Sequence, residues 1–164
     1  MVELFYQVTN MHDLSYNKNN LIENTKLLID ESMPIVTNLA NMSRLIYESL
    51  NGVSWCGFYL SNNTNNCLYL GPFQGPVACG MIPYGKGVCG TSAHLKQTQL
   101  VPNVHEYPGH IACSSLTNSE IVIPILKDNK CVGVLDLDSN NFDNFNLEEQ
   151  LILEEVCSIL SKLF

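Results

Sequence analysis

The chain has 164 residues, of which 46% are hydrophobic and 15% charged, and its formal net charge is −8. That length suits one domain over 1–164 that buries a core without staples, and the scattered Lys and Arg lack the clustering that a nucleic-acid backbone requires. No apolar run approaches the ~20 residues of a membrane span, and MVELFYQVTN lacks the basic start of a signal peptide.

The expectation is therefore a soluble, cytoplasmic protein with neither nucleic-acid nor membrane partners. Seven cysteines, an odd number in a chain of ordinary size, fit the same compartment. There a cysteine is a buried small hydrophobe, a metal ligand or a reactive thiol.

In chain order, apolar residues recur at helical spacing from about Asp13 to Leu50: Leu21, Leu28, then Ile35, Leu39, Met42, Ile46 and Leu50. Pro34 suits the first turn of a second helix, with Ser32 as its cap. VSWCGFYL (53–60) and CLYL (67–70) read as a hairpin around SNNTNN. The glycine-rich stretch from Gly71 to Gly90 reads as mostly irregular, followed by a short helix in GTSAHLKQ (90–97) and a short strand in TQLVPNV (98–104). HEYPGHIACSS (105–115) reads as a long loop. SEIVIPIL (119–126) and CVGVLDLDS (131–139) are strands joined through KDNK, and NLEEQLILEEVCSILSKLF (146–164) is a closing amphipathic helix. Asn146 with Glu149 forms a capping box at its start. This order predicts an α+β fold: a mainly antiparallel sheet with the N- and C-terminal helices on one side.

Strand alternation in CVGVLDLDS puts Val132, Val134, Asp136 and Asp138 on one face. The same rule puts Trp55, Gly57 and Tyr59 on one face of VSWCGFYL, two aromatics flanking a position with no side chain. That is a slot for a small apolar group, or ordinary core packing. Glu120 opens the preceding strand. A two-residue Asp128-Asn129 turn pairs it with position 137, opposite the acids, whereas a three-residue loop through Lys130 pairs it with Asp138; periodicity does not choose. GPVACGMIPYGKGVCGTS carries Cys79 and Cys89, and GHIACSS carries Cys113. Such a loop could hold a metal, close a disulfide or do redox chemistry. Zinc on these three cysteines with His94, His105 or His110 is a candidate, but the compact Cys spacing of zinc sites is missing.

Together, SWCGFYL, LYLGPFQGPVACGMIPYGKGVCGTS, VHEYPGHIACSS, NSEIVIP and GVLDLDS, in this order and spacing, closely resemble the free methionine-(R)-sulfoxide reductases, small single-domain proteins of the GAF fold. The resemblance runs from about Trp55 to Ser139. It implies reduction of free methionine (R)-sulfoxide to methionine, with thioredoxin as electron donor, no cofactor and no metal, and a homodimer. By position, Cys113 matches the attacking cysteine, Cys79 a resolving cysteine and Cys89 a further redox cysteine. Trp55, Tyr59, Glu120, Asp136 and Asp138 match the substrate-binding positions, which favours the register that gathers the three acids. Ser114 and Ser92 stand where the family pattern more often has Asp and Ala. Cys56, Cys67, Cys131 and Cys157 match nothing catalytic and read as buried hydrophobes.

Two chemical demands follow from such a reaction. A thiol near its ordinary pKa is only slightly ionised at neutrality, so Cys113 needs help, for which His110 is a candidate. Crowded carboxylates cannot all ionise, so one of them keeps a proton for the departing oxygen. A non-catalytic GAF module that senses a small ligand is the rival reading.

Overall fold

A computed structural model describes residues 16–62 and 64–164. The start of the expected N-terminal helical stretch, Asp13 to Ser15, and the segment MVELFYQVTN lie outside the described residues. Helix α1 spans Leu21–Leu28 and α2 spans Ile35–Ser49. Strands β1 (Val53–Asn62), β2 (Cys67–Gln74) and β3 (Met81–Pro83) follow, then α3 (Gly87–Leu95) and β4 (Gln99–Val101). The long strands β5 (Ser119–Lys127) and β6 (Lys130–Ser139) precede α4 (Leu147–Leu160). Among the described residues no helix is long and apolar enough to cross a membrane.

The six strands form one sheet in the order β3-β2-β1-β6-β5-β4, with every neighbouring pair antiparallel. One face carries Cys56, Phe58, Ile121, Ile123, Leu135 and Leu137 against Leu21, the α2 stripe Leu39, Met42 and Ile46, and Leu153, Val156 and Leu160 of α4. The helical spacing read along α2 is thus the spacing of its buried stripe. Cys56 and Cys157 lie in this layer as small hydrophobes. The opposite face carries Trp55, Tyr59, Val122 and Val134 under α3 and the loops around it. Helices thus cover one face, and the site side lies on the other.

Several local expectations hold and several are corrected. Asn146 accepts from the Glu149 amide at 3.1 Å while Glu149 accepts from the Asn146 amide at 3.1 Å, a complete capping box. Pro34 occupies the position just before α2, not its first turn, and Ser32 does not cap it. The Ser32 amide and hydroxyl turn back to Asp30 Oδ1 instead, at 2.9 and 2.6 Å. β2 extends four residues beyond CLYL, to Gln74. α3 starts at Gly87, inside the stretch read as irregular, so Cys89 sits on a helix.

The β5–β6 hairpin corrects both registers considered for it. The turn is the two-residue one: Lys127 pairs with Lys130, and Asp128 and Asn129 both have positive φ, 49° and 58°. That is the turn whose twist matches a hairpin. Yet Leu126 pairs with Cys131 and Ile125 with Gly133, leaving Val132 as the extra residue of a β-bulge. The bulge restores the pairing that a three-residue loop would have given, and Glu120 lies opposite Asp138. It also flips Val132, expected beside Val134, onto the helix-covered face, and brings Cys131 to the site face.

Candidate active site

The sheet sets out the site in rows. Trp55 on β1 pairs with Asp138 on β6, which pairs with Glu120 on β5. In the next row Gly57 pairs with Asp136, and Asp136 with Val122. Trp55, Tyr59, Glu120, Asp136 and Asp138, five positions spread over more than eighty residues of chain, therefore share one face and line one cavity.

Gly57 has a different part from the one its spacing suggested. The gap between Trp55 and Tyr59 is no open slot, because the indole fills it. A Cβ at Gly57 would lie 2.4 Å from Phe73 Cβ and 2.5 Å from the Trp55 ring. Trp55 stacks on Phe73 with centroids 5.4 Å apart and on Tyr59 at 6.0 Å, so the aromatics form a continuous wall. Their polar ends are satisfied: Trp55 Nε1 donates to Pro76 O and Tyr59 Oη to Cys79 O, each at 3.0 Å. The wall thus holds the loop that carries Cys79.

Cys79 and Cys113 are joined by a disulfide with Cα atoms 5.7 Å apart. It ties the loop after β2 to the loop before β5 across the cavity mouth. Cys79 is half-buried and Cys113 exposed. With these sulfurs bonded to each other, the three-cysteine zinc set weighed from sequence is not formed. Cys89 remains a free thiol, buried on the first turn of α3, its Sγ 4.0 Å from Glu120 Oε1. The thiol and a carboxylate oxygen from each of Glu120 and Asp136 all lie within 4.8 Å of one another.

The electrostatics are those of a proton store. Burial pushes Glu120, Asp136 and Asp138 well above the usual carboxylate range. The charge of Asp138 adds to the shift at Glu120, that of Glu120 at Asp136, and that of Asp136 at Asp138. A hydrogen bond between Glu120 and Asp136 lowers the first and raises the second. Asp136 Oδ1 is, among the described residues, a buried side-chain oxygen without a hydrogen-bond partner. Burial, then Asp136 and Glu120, push the Cys89 thiol up, which makes it a poor nucleophile as it stands.

His110 contacts Glu120, with Nε2 3.6 Å from Oε2. Burial lowers its pKa, which favours the neutral ring. Sequence reasoning missed Thr117, buried and lining the cavity, and Ile82 and Val88, which form its apolar floor. The clue for Val88 was its place beside Cys89; Thr117 and Ile82 left none. Of the two departures from the family pattern, Ser92 is buried with Oγ 3.5 Å from Val122 O, and Ser114 accepts from the Leu116 amide.

The cavity between Cys113 and the acids has a volume of about 30 Å³. That is room for a single small species, not for an amino acid. The hollow thus lies between Cys113 and the acids, and is smaller than expected.

A GAF domain family model matches residues 35–163. The free methionine-R-sulfoxide reductase of Saccharomyces cerevisiae is 44% identical over 156 residues, covering 89% of this chain and 87% of that protein. The enzyme of the same description from Escherichia coli is 45% identical over 128 residues, covering 78% and 76%. Among solved structures, fRMsr of Staphylococcus aureus in complex with substrate superposes with a TM-score of 0.83 at 42% identity, covering 92% of this chain and 97% of that one. On these matches this chain belongs to the GAF domain family and, within it, to the free methionine-(R)-sulfoxide reductases.

Proposed function

We propose that the protein reduces free L-methionine (R)-sulfoxide to methionine, with Cys113 as nucleophile, Cys79 as resolving thiol and the acid row as substrate anchor and proton donor. The observation that carries the reading is one cavity lined by Cys113, the disulfide partner of Cys79, and by the Trp55–Asp138–Glu120 row.

The chemistry balances without a cofactor. The Cys113 thiolate attacks the sulfoxide sulfur, and as the oxygen takes protons the S–O bond breaks and it leaves as water, giving a Cys113–sulfonium adduct. Water then attacks Cys113 Sγ, and methionine departs with the electron pair of the S–S bond, leaving Cys113 as a sulfenic acid. Cys79 attacks that sulfur, forming the disulfide and releasing water. Sulfoxide and two thiols thus become thioether, disulfide and water. Asp136, whose carboxyl is pushed well above the usual range by burial and then by the Glu120 charge, is the donor to the sulfoxide oxygen, with Glu120 next in line. Asp138, the least buried of the three acids, takes the substrate ammonium once ionised, which is why methionine within a peptide is excluded. The Trp55–Tyr59 wall receives the S-methyl end. An inverted sulfur centre points its oxygen away from Asp136, giving epimer selection. Cys89 stands by as a reserve thiol.

A dithiol protein of the thioredoxin kind restores the thiols. Cys113 is the exposed partner of the disulfide, and Val77 and Leu116, 90% and 66% exposed, flank it as an apolar landing for such a protein. A cytoplasmic setting agrees with five buried, unbridged cysteines. A homodimer is part of the same reading, with Leu147 and Leu151 exposed along the outer face of α4.

The test is NADPH oxidation coupled through thioredoxin and its reductase, with the R and S epimers supplied separately and with N-acetylated R substrate. Turnover confined to the free R epimer is expected. Absence of turnover on that epimer refutes the proposal and favours a ligand sensor.

A further inference from the structure

Cys89 is the thiol that the primary chemistry leaves over. It is buried, free, and directed at two buried carboxylates, with its Sγ and one oxygen each of Glu120 and Asp136 within 4.8 Å of one another. Tetrahedral zinc, with bonds of about 2.3 Å to sulfur and about 2.0 Å to nitrogen or oxygen, spaces its ligands roughly 3.3–3.5 Å apart. The 4.0 Å Cys89–Glu120 separation needs to contract by only about half an ångström to meet that geometry.

Two further observations point to a ligand there. Asp136 is only 6% exposed, yet its Oδ1 has no hydrogen-bond partner, an arrangement that costs free energy unless something fills the position. The cavity of about 30 Å³ also accepts one ion while excluding an amino acid.

We propose that this cavity is a binding site for a single zinc ion, held by Cys89 Sγ and by carboxylate oxygens of Glu120 and Asp136, with a solvent molecule as the fourth ligand. One thiolate and two carboxylates suit zinc, whereas magnesium and calcium prefer all-oxygen shells. As each bond to the metal forms, the thiol or carboxylic proton it replaces leaves to solvent, so affinity rises with pH. The ion occupies the cavity that substrate must enter, and zinc is therefore a competitive inhibitor. That consequence rests on the proposed reductase activity; the binding itself does not.

The experiment uses the full chain with its disulfide intact, so that Cys79 and Cys113 cannot act as ligands. Zinc is titrated against a chromophoric chelator, and cobalt(II) serves as the spectroscopic probe. One ion per chain is expected, with a thiolate-to-cobalt charge-transfer band. Cys89→Ser should abolish the band, and Cys89→Ser and Asp136→Asn should each weaken zinc binding by at least about tenfold, the lower end of what loss of even an outer-shell partner costs. Circular dichroism reports whether each variant folds. Should Cys89→Ser not fold, Asp136→Asn alone tests the same coordination, and undiminished affinity there overturns the proposed ligand set. No binding by the parent chain at micromolar zinc, or a band that survives Cys89→Ser, overturns the site. In steady-state assays zinc should raise KM for methionine sulfoxide and leave kcat unchanged; inhibition insensitive to substrate concentration overturns the competitive assignment. Zinc binding through Cys89 without any sulfoxide turnover would sink the reductase reading alone, and normal turnover without zinc binding would sink the site alone.

Discussion

Replacing Asp136 by asparagine should make the protein more stable and far less active, and both effects come from the same proton. Asp136 lies in the middle of the sheet, paired with Gly57 on one side and Val122 on the other, and is 6% exposed. Burial first and the Glu120 charge second raise its pKa well above the usual carboxylate value. In the unfolded chain the same group ionises near its ordinary pKa. Between those two values the folded state binds one proton more than the unfolded state, so stability falls as pH rises across that window. Each unit of difference is worth about 1.4 kcal/mol, which in a domain of this size is roughly 3–6 °C of melting temperature. The asparagine side chain carries no proton to lose. The melting temperature of Asp136→Asn should accordingly decline less steeply from pH 5 to pH 8 than that of the parent, by the slope of about one proton, and the variant should be the more stable protein at the upper end. Loss of the general acid should slow the thiol-to-disulfide step by about 10²- to 10⁴-fold. The two readouts are thermal denaturation across pH and a rapid-quench single turnover of reduced enzyme with the R sulfoxide. Parallel melting curves for parent and variant would refute the idea that Asp136 is a buried proton store, and an unchanged single-turnover rate would refute its use as the acid.

The cavity of about 30 Å³ in the disulfide-bonded chain predicts that the oxidised chain binds neither methionine nor its sulfoxide, while the reduced chain binds both; calorimetric titration of the two forms checks this, and equal affinities would contradict it. Cys113→Ser should end turnover outright. Cys79→Ser should complete one round and accumulate a sulfenic acid at Cys113, captured by dimedone and read by mass spectrometry, whereas the same adduct on Cys89 would reassign the nucleophile. Gly57→Ala pushes a methyl group against Phe73 and the Trp55 ring, at 2.4 and 2.5 Å. Overpacking of that kind should cost about 1–3 kcal/mol in denaturant unfolding and raise KM; an unaffected KM would free the aromatic wall from any part in substrate binding.

Much of this architecture is written in local patterns, because each pattern answers to a single physical demand. The period of Leu39, Met42 and Ile46 is the period of a buried helical stripe, and Asn146 with Glu149 satisfies the orphan amides of α4 wherever that helix packs. The β5 and β6 strands are equally plain from alternation. What alternation does not contain is the relation between them. The favoured two-residue turn at Asp128-Asn129 and a cluster of three acids look incompatible, since that turn alone sends Glu120 to the far face. The chain resolves the conflict with one bulged residue, Val132, whose side chain crosses to the helix-covered layer. A valine is apolar on either face, so its identity betrays nothing of the switch. The resemblance to the reductases predicted the outcome without supplying this cause.

Cys89 illustrates the same limit from the other direction. The expected helix opens at Gly90, after the stretch read as irregular, yet α3 begins three residues earlier at Gly87. A Cβ at Gly90 would fall 2.2 Å from Pro83 O, so glycine there is what lets the first turn of the helix press against β3. That close approach places Cys89 over the acid row and removes it from the loop that carries Cys79. Three cysteines that look equivalent in the sequence are in this way given unequal chemistry: an exposed sulfur at 113, its half-buried partner at 79, and a thiol at 89 whose neighbours hold it protonated. The division of labour is set by which residues the backbone allows to touch, and glycine and bulge positions decide that before any thiol does.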